Sequence, residues 1–426
     1  MPQTDRDSTP QHARVAYRRG IANGILFATG MAFIDPITVL PTFVSRLTDS
    51  EVAVGLISGL GMSGWFLPQL FAANYLQSRP YKRPLYIFAA FLRGVGLLLI
   101  IPLIYFLARG NPAAALVAFF LGYALYSFSG GLSGPAFLDI VAKTIPSGRL
   151  GAFFGHRQFW GGLGAIGCGI LVRFILSADA LIFPTGYCLL FGLALASFVP
   201  GWTAFATIPE PRGKVEEAQP LIPFLRSAPT VIREHREFRL LLASRLLTGC
   251  AGIALPFYII YCRQVVGVPE AAVGIYLSIQ MAGSVALIPL WAFLNDRRGP
   301  RTLLVAVAAL TLAVPSVALL AAFFPDALGF GRVVFGAVFF PLAAIAGGGF
   351  MGYTNYLFRI APEQRRPLYI GVQNTLFALT AFLPLLGGLV VGLTSFRFLF
   401  LVAAAMGALG LIATIILPSN TASGRG

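Results

Sequence analysis

The chain has 426 residues, 57% of them hydrophobic and only 11% charged, with a formal net charge of +15. A soluble domain carries roughly 25% charged residues, so the composition excludes an ordinary soluble enzyme or nucleic-acid-binding domain. The positive excess instead suits basic anchors along one face of a membrane protein.

In chain order, residues 1–19 form a polar, basic tail without the small-residue cleavage pattern of a secretory signal. Twelve apolar stretches follow: Gly20–Val44, Val52–Leu76, Pro84–Ala108, Ala113–Ala142, Leu150–Leu176, Phe183–Ile208, Leu240–Tyr261, Ala272–Leu294, Leu303–Phe324, Val333–Ile360, Leu368–Leu393 and Phe396–Leu417. Each has about the 20 residues a helix needs to cross hydrocarbon. Lipid gives the backbone no hydrogen-bond partner, so a helix bundle is the expected solution. Pro209, Pro211, Pro220, Pro223 and Pro229 break any long helix in the midpoint stretch 209–239, where a short amphipathic piece is expected near Ile222–Phe224. Cys168, Cys188, Cys250 and Cys262 lie in or beside apolar segments without metal-ligand spacing and are expected to be reduced thiols.

Basic residues set the expected orientation. With the N-terminus in the cytoplasm, 22 of the 31 Lys and Arg residues fall in the inner tails and loops, six in the outer loops and three within spans. This is the positive-inside pattern. It predicts a multi-pass plasma-membrane protein with both termini cytoplasmic, the tail 418–426 included.

The two halves repeat. Asp139, Lys143, Pro146, Arg149, Gly155 and Gln158 correspond to Asn355, Arg359, Pro362, Arg365, Gly371 and Asn374 at an offset of 216 residues, and Val54, Gly55, Met62 and Gly64 to Val273, Gly274, Met281 and Gly283 at 219. Parallel repeats about an axis normal to the membrane are a transporter architecture. The expected fold class is therefore an all-α membrane protein of twelve transmembrane helices in two pseudo-symmetric six-helix bundles, 20–208 and 240–417, joined by the cytoplasmic linker 209–239.

At the junction of the eighth and ninth spans the chain reads Ala292-Phe-Leu-Asn-Asp296-Arg297-Arg298-Gly299-Pro300-Arg301. This resembles the cytoplasmic loop signature of the major facilitator superfamily, G-x-x-x-D-R-x-G-R-R. The equivalent loop between spans 2 and 3, Ala73 to Arg83, keeps the basic end (Arg79, Lys82, Arg83) but lacks the Asp and both glycines. Pro367-Leu-Tyr-Ile-Gly371-Val-Gln-Asn374 is similar to bacterial members. The antiport signature G-P-x-x-G-G is missing from the fifth span, which reads Gly161-Gly-Leu-Gly164-Ala-Ile-Gly167-Cys-Gly169. A partial match, Pro384-Leu-Leu-Gly387-Gly388, lies in the eleventh. The resemblance implies alternating access around a cavity lined by helices 1, 4, 7 and 10 with parts of 2, 5, 8 and 11. The signature's charges, Asp296, Arg297 and Arg301, can latch the inner side closed, and Gly299 allows a tight turn.

Ionisable groups within spans need partners or tasks. Asp35 lies roughly 22 Å along the first helix and Arg93 roughly 14 Å into the third. They are expected either to pair permanently or to couple a proton to conformation. Asp139 and Arg157 are at comparable depth on consecutive helices and are expected to form a structural or gating pair. Arg245 is expected to snorkel to the headgroups. Neutral cavity candidates are Gln69, Gln158, Gln280, Asn355, Gln373 and Asn374, and bending is expected at Gly130-Gly131 and Gly347-Gly348-Gly349. No nucleotide loop, metal motif or catalytic triad is present, so neither enzyme activity nor a cofactor is expected. The expected protein is a monomeric secondary transporter of a small organic solute, with a proton as coupling ion, lipid as surroundings and no nucleic-acid partner. Proton-coupled efflux of amphipathic compounds leads. Movement of an organic anion through Arg157 or Arg93 is the alternative, and a non-transporting receptor or lipid-handling protein is the second.

Overall fold

The computed structural model describes residues 10–213, 215, 231–233, 235–323, 331–362 and 365–418. The piece expected near Ile222–Phe224 and the inner basic residues Arg6, Lys214, Arg226 and Arg425 lie outside the described residues.

Helix α1 spans Pro10–Phe33 and resumes at Val39–Val44 after a break. Then come α2 (Glu51–Gln77), α3 (Arg83–Leu107), α4 (Pro112–Thr144), α5 (Leu150–Ser177) and α6 (Thr185–Ala206). The second set is α7 (Arg236–Cys250, resuming at Phe257–Gln264), α8 (Ala272–Arg298), α9 (Pro300–Phe323), α10 (Gly331–Phe339, resuming at Leu342–Ile360), α11 (Arg366–Ala378, resuming at Leu383–Leu393) and α12 (Phe396–Ile415). Among the described residues there is no strand. Eleven helical stretches, α2 to α12 in turn, are long and apolar enough to cross a membrane. The break after Phe33 leaves α1 too short in apolar residues to join them. The chain is a multi-pass membrane protein, built of two bundles of six. The end at which α1 begins is the near face and the opposite end the far face.

Side chains cap several helices where tight loops expose their first N–H groups. Ser50 accepts from Ala53, Asn111 from Ala114 and Ser395 from Phe398. Large apolar side chains such as Phe91, Phe106, Leu121, Phe174 and Phe350 are exposed, because lipid is as apolar as the interior and does not drive them inward. Small residues let the helices approach instead. A side-chain carbon at Gly131 of α4 would lie 2.4 Å from the Gly64 carbonyl oxygen of α2.

No helix break falls at the glycine runs, where bending is expected between the outward- and inward-open states. Helix α4 continues through Gly130-Gly131 and α10 through Gly347-Gly348-Gly349. The break in α10 falls at Phe340-Pro341, where proline has no N–H to give. The glycines serve close packing, Gly348 against Val307 and Trp291. At the α8–α9 junction Gly299 has φ 85° and ψ 162°, a conformation L side chains rarely adopt, and it makes the expected tight turn.

Candidate functional site

The two bundles meet along a seam that is tight toward the far face. Helix α2 touches α11 so closely that a side-chain carbon at Gly55 would sit 2.0 Å from the Pro384 carbonyl oxygen, and one at Gly388 2.3 Å from that of Glu51. On the other side α5 meets α8: carbons at Gly169 and Gly274 would lie 2.3 Å from Ser278 Oγ and from the Gly169 carbonyl oxygen. Ser278 Oγ donates to the Ile166 carbonyl at 2.9 Å. Toward the near face the α2–α11 contact reaches the edge-on ring pair Phe66–Phe377, with centroids 6.0 Å apart. Beyond Gly162, which faces Val285, the near-face end of α5 is uncovered on successive sides. Phe154, Gly155, His156, Gln158, Phe159 and Trp160 are all exposed. The covered stripe of this end, Phe153, Arg157 and Gly161, four residues apart, packs on Gly20, Gly24 and Ala28 of α1, which leaves the side toward α8 open.

The far face is closed by polar contacts as well. Glu270, in the α7–α8 loop, accepts from Tyr187 of α6, pairs with Arg263 at 3.5 Å and lies 4.0 Å from Arg46. Arg263 also donates to Ser45 at 3.3 Å, and Gln264 to Glu51 at 3.3 Å. None of these residues lies deep in a span, so nothing in the sequence marks them; only folding brings both loops to one point. Glu270→Gln is expected to loosen this closure by about 1 kcal/mol, the scale of half-exposed pairs. Faster labelling of a cysteine at Ser45, with unchanged thermal unfolding, would register it; an unaltered labelling rate would show that the cluster does not hold the seam.

Asp35 stands where α1 breaks. Pro36 interrupts the helical ladder, and the freed donors turn to the Asp35 carboxylate. Oδ1 accepts from Ile37 N at 3.0 Å, Thr38 N at 2.8 Å and Thr38 Oγ1 at 2.8 Å. Oδ2 accepts from Gln280 Nε2 of α8, across the seam, at 3.3 Å. Asp35 is 5% exposed and Gln280 1%, with Gln280 Oε1 left without a partner.

Neither expected ion pair forms. Arg93 donates to Tyr126 Oη at 2.7 Å, and its guanidinium carbon lies 4.4 to 5.9 Å from the ring centres of Tyr126, Phe27, Trp202 and Phe198. Four π faces take the place of the acid, while Ile37, Thr38 and Gln280 already donate to Asp35. Asp139 pairs with Lys143 one turn on. Arg157 turns toward α1, donating to Asn23 Oδ1 at 2.7 Å and Gly20 O at 3.0 Å, over the Phe137 ring at 4.7 Å. The nearer partner wins for Asp139, and the missing side chain at Gly24, where a carbon would lie 2.0 Å from Arg157 Cγ, gives Arg157 room. Arg245 does not run to the headgroups. Its guanidinium lies over Phe377 at 4.5 Å and Tyr353 at 5.6 Å. Arg93→Met is expected to lower stability by about 2 kcal/mol, the worth of a desolvated cation–π contact, while pH-driven flux persists. Thermal unfolding and vesicle flux would check it, and loss of the flux alone would restore Arg93 to the coupling site.

The Major Facilitator Superfamily profile matches residues 240–425, and the twelve-helix, two-bundle chain as a whole carries that fold. The C-terminal bundle, rather than the chain as a whole, is what that profile recognises. It is similar in structure to a bacterial homologue of the iron transporter ferroportin in an inward-facing state, with TM-score 0.70, 15% identity and coverage of 94% of this chain and 98% of that one. An outward-facing form of such a homologue gives 0.61 at 17% identity, with the same coverage. A point mutant of the nucleoside transporter NupG gives 0.68 at 14% identity, covering 95% and 99%. No curated protein matches the chain by sequence.

The loop signature sits at the near face. Asp296 is exposed and accepts from Asn295 Nδ2 at 2.9 Å, while Arg301 donates to the Ile415 carbonyl at 2.6 Å and Arg297 is exposed. Asp296 makes no ion pair to a described residue. Asn355 ties α10 to α8 through Asn295 Oδ1 at 2.9 Å. Gln69 lies against Gly134, Gln158 is exposed at the open seam, Gln373 is buried with Nε2 lacking a partner, and Asn374 is half-buried. The acid missing from the α2–α3 loop comes from elsewhere: Glu210, just after α6, accepts from Lys82 N at 2.8 Å, Arg83 N at 2.9 Å and Lys143 Nζ at 3.2 Å. The signal in sequence was a lone acid between Pro209 and Pro211 amid basic loops.

Proposed function

We propose that the chain is a secondary transporter that exports amphipathic organic compounds in exchange for protons, by rocking the bundles 20–208 and 240–417 about the linker 209–239. The Asp35–Gln280 hydrogen bond carries this reading. Asp35 is a carboxylate inside the bilayer whose partner belongs to the opposite bundle. Opening the far face removes Gln280 and admits water; closing it restores both the partner and the burial. A group whose surroundings differ between two states couples its proton occupancy to the equilibrium between them.

The basic loops put the near face in the cytoplasm, so the seam described above is inward-open. In that state the Asp296–Arg301 latch stands undone, as a latch for the opposite state should. The open end of α5 offers Phe154, Phe159, Trp160 and Gln158, a surface for a greasy solute with a polar end. The solved neighbours name iron, nucleoside and peptide transport. Among the described residues no group of three His, Cys, Asp or Glu side chains is placed to hold a metal, so metal cargo gains no support here.

Reconstituted vesicles with an acidic lumen should concentrate an amphipathic dye, with fluorescein and rhodamine 6G as the trial pair, and release it when the gradient collapses. Accumulation that ignores the gradient would refute antiport. No accumulation of either dye, with counterflow also absent, would favour a non-transporting protein.

A further inference from the structure

We propose that Arg157 and Arg245 are the two arms of an anion-binding site, one on each bundle, and that the transported solute is an amphipathic organic anion: a carboxylate, sulfonate or phosphate on an apolar body. This rests on the transport reading above and names the substrate class of its cavity.

Two features of the arrangement carry it. First, neither guanidinium has an acid partner among the described residues. Both of Arg157's hydrogen bonds use Nη1, to neutral oxygens of α1, so Nε and Nη2 make none to a described residue. Arg245 makes no hydrogen bond or ion pair to a described residue and rests on two rings. A cation held in an apolar crevice without a counter-charge is costly unless an anion visits it.

Second, the two groups occupy matching places although different helices deliver them. Arg157 reaches from α5 into the crevice between α1 and α4, over Phe137. Arg245 reaches from α7 toward α10 and α11, over Tyr353. Phe137 and Tyr353 are 216 residues apart, the offset that relates the two halves. Their depths also agree, at roughly 11 Å into α5 and 14 Å into α7 from the near face. Both lie on the near-face side of the tight seam contacts. The pair therefore places one guanidinium in each bundle, each against an aromatic face that suits an apolar solute body. Asp35 is about 18 Å farther along α1 from Asn23, too far to neutralise Arg157.

One arm per bundle also gives binding a mechanical result. An anion that engages both arms interacts more strongly when the near-face ends approach, so it favours closure of the inner side over the open form. Guanidinium suits this role because it offers paired donors to a carboxylate or phosphate.

The test is thermal unfolding of the purified chain with three probes sharing one ring system: naphthalene-2-sulfonate, naphthalene-2-carboxylate and the uncharged naphthalene-2-carboxamide. Both anions should raise Tm and the carboxamide should not. Arg157→Gln and Arg245→Gln should each weaken the anions' apparent affinity roughly ten- to a hundredfold, and Arg157→Lys and Arg245→Lys, which keep the charge, should retain most of it. Arg149→Gln, which removes an exposed near-face charge, should leave the shift intact. An equal shift by the carboxamide, no shift by either anion, or a shift surviving in the double Gln variant would overturn the site. The outcomes separate from those of the transport reading. Gradient-driven uptake of rhodamine 6G with no anion preference sinks only the anion site. Arginine-dependent anion binding without gradient-driven flux sinks only the antiport.

Discussion

Gly55→Leu is expected to hold the far face open and abolish transport while leaving both bundles folded. A side-chain carbon there meets the Pro384 carbonyl oxygen at 2.0 Å. Backbone cannot yield as a flexible side chain can, so the helices must part. Within a bundle, parting would break the core: at Gly283 a carbon would sit 1.6 Å from the Phe340 carbonyl oxygen, and Gly283→Leu should unfold the C-terminal bundle. Between bundles, parting is the transport movement itself. Overpacking costs of about 1–3 kcal/mol shift an equilibrium between states of similar energy by roughly five- to a hundredfold. Spin labels at the exposed Asp49 and Thr394, on far-face loops of opposite bundles, would report the separation. An unchanged label distance together with normal flux would show that α2 and α11 do not gate the far face.

Asp35→Asn is expected to eliminate gradient-driven flux and spare solute counterflow. Asparagine keeps the size and can still accept from Thr38 and Ile37, so the break in α1 survives; it cannot take up or release a proton. Loss of both activities would point to a structural role for Asp35, and undiminished gradient-driven flux would place the proton elsewhere. Gln280→Leu serves as companion. It removes the hydrogen bond across the seam at 3.3 Å but leaves the carboxyl, so flux should continue with an altered pH profile.

How much was legible in the sequence differs by scale. Hydrophobic length, loop charge and the 216-residue echo are local or periodic features, and the bilayer turns them into helices. Ion pairing is a choice among neighbours, which the sequence does not rank. Asp139 and Arg157 were at matching depth, yet Lys143 was one turn from the acid. Arg93 was within reach of Asp35, yet four aromatic rings from α1, α4 and α6 surround it. Pro36 did announce a break, but that Asp35 would cap the outer piece and meet Gln280 depended on two bundles packing face to face.

The sequence by itself determined the membrane, the twelve helices, their pairing into repeated halves and the superfamily signature at Asp296, because lipid acts on each segment separately and leaves few alternatives. Only the tertiary structure decided which cations lie unpaired, which loops close the far face around Glu270 and which end of the seam stands open. Those outcomes depend on contacts between residues far apart in the chain, where small differences in distance, desolvation and packing select one partner over another.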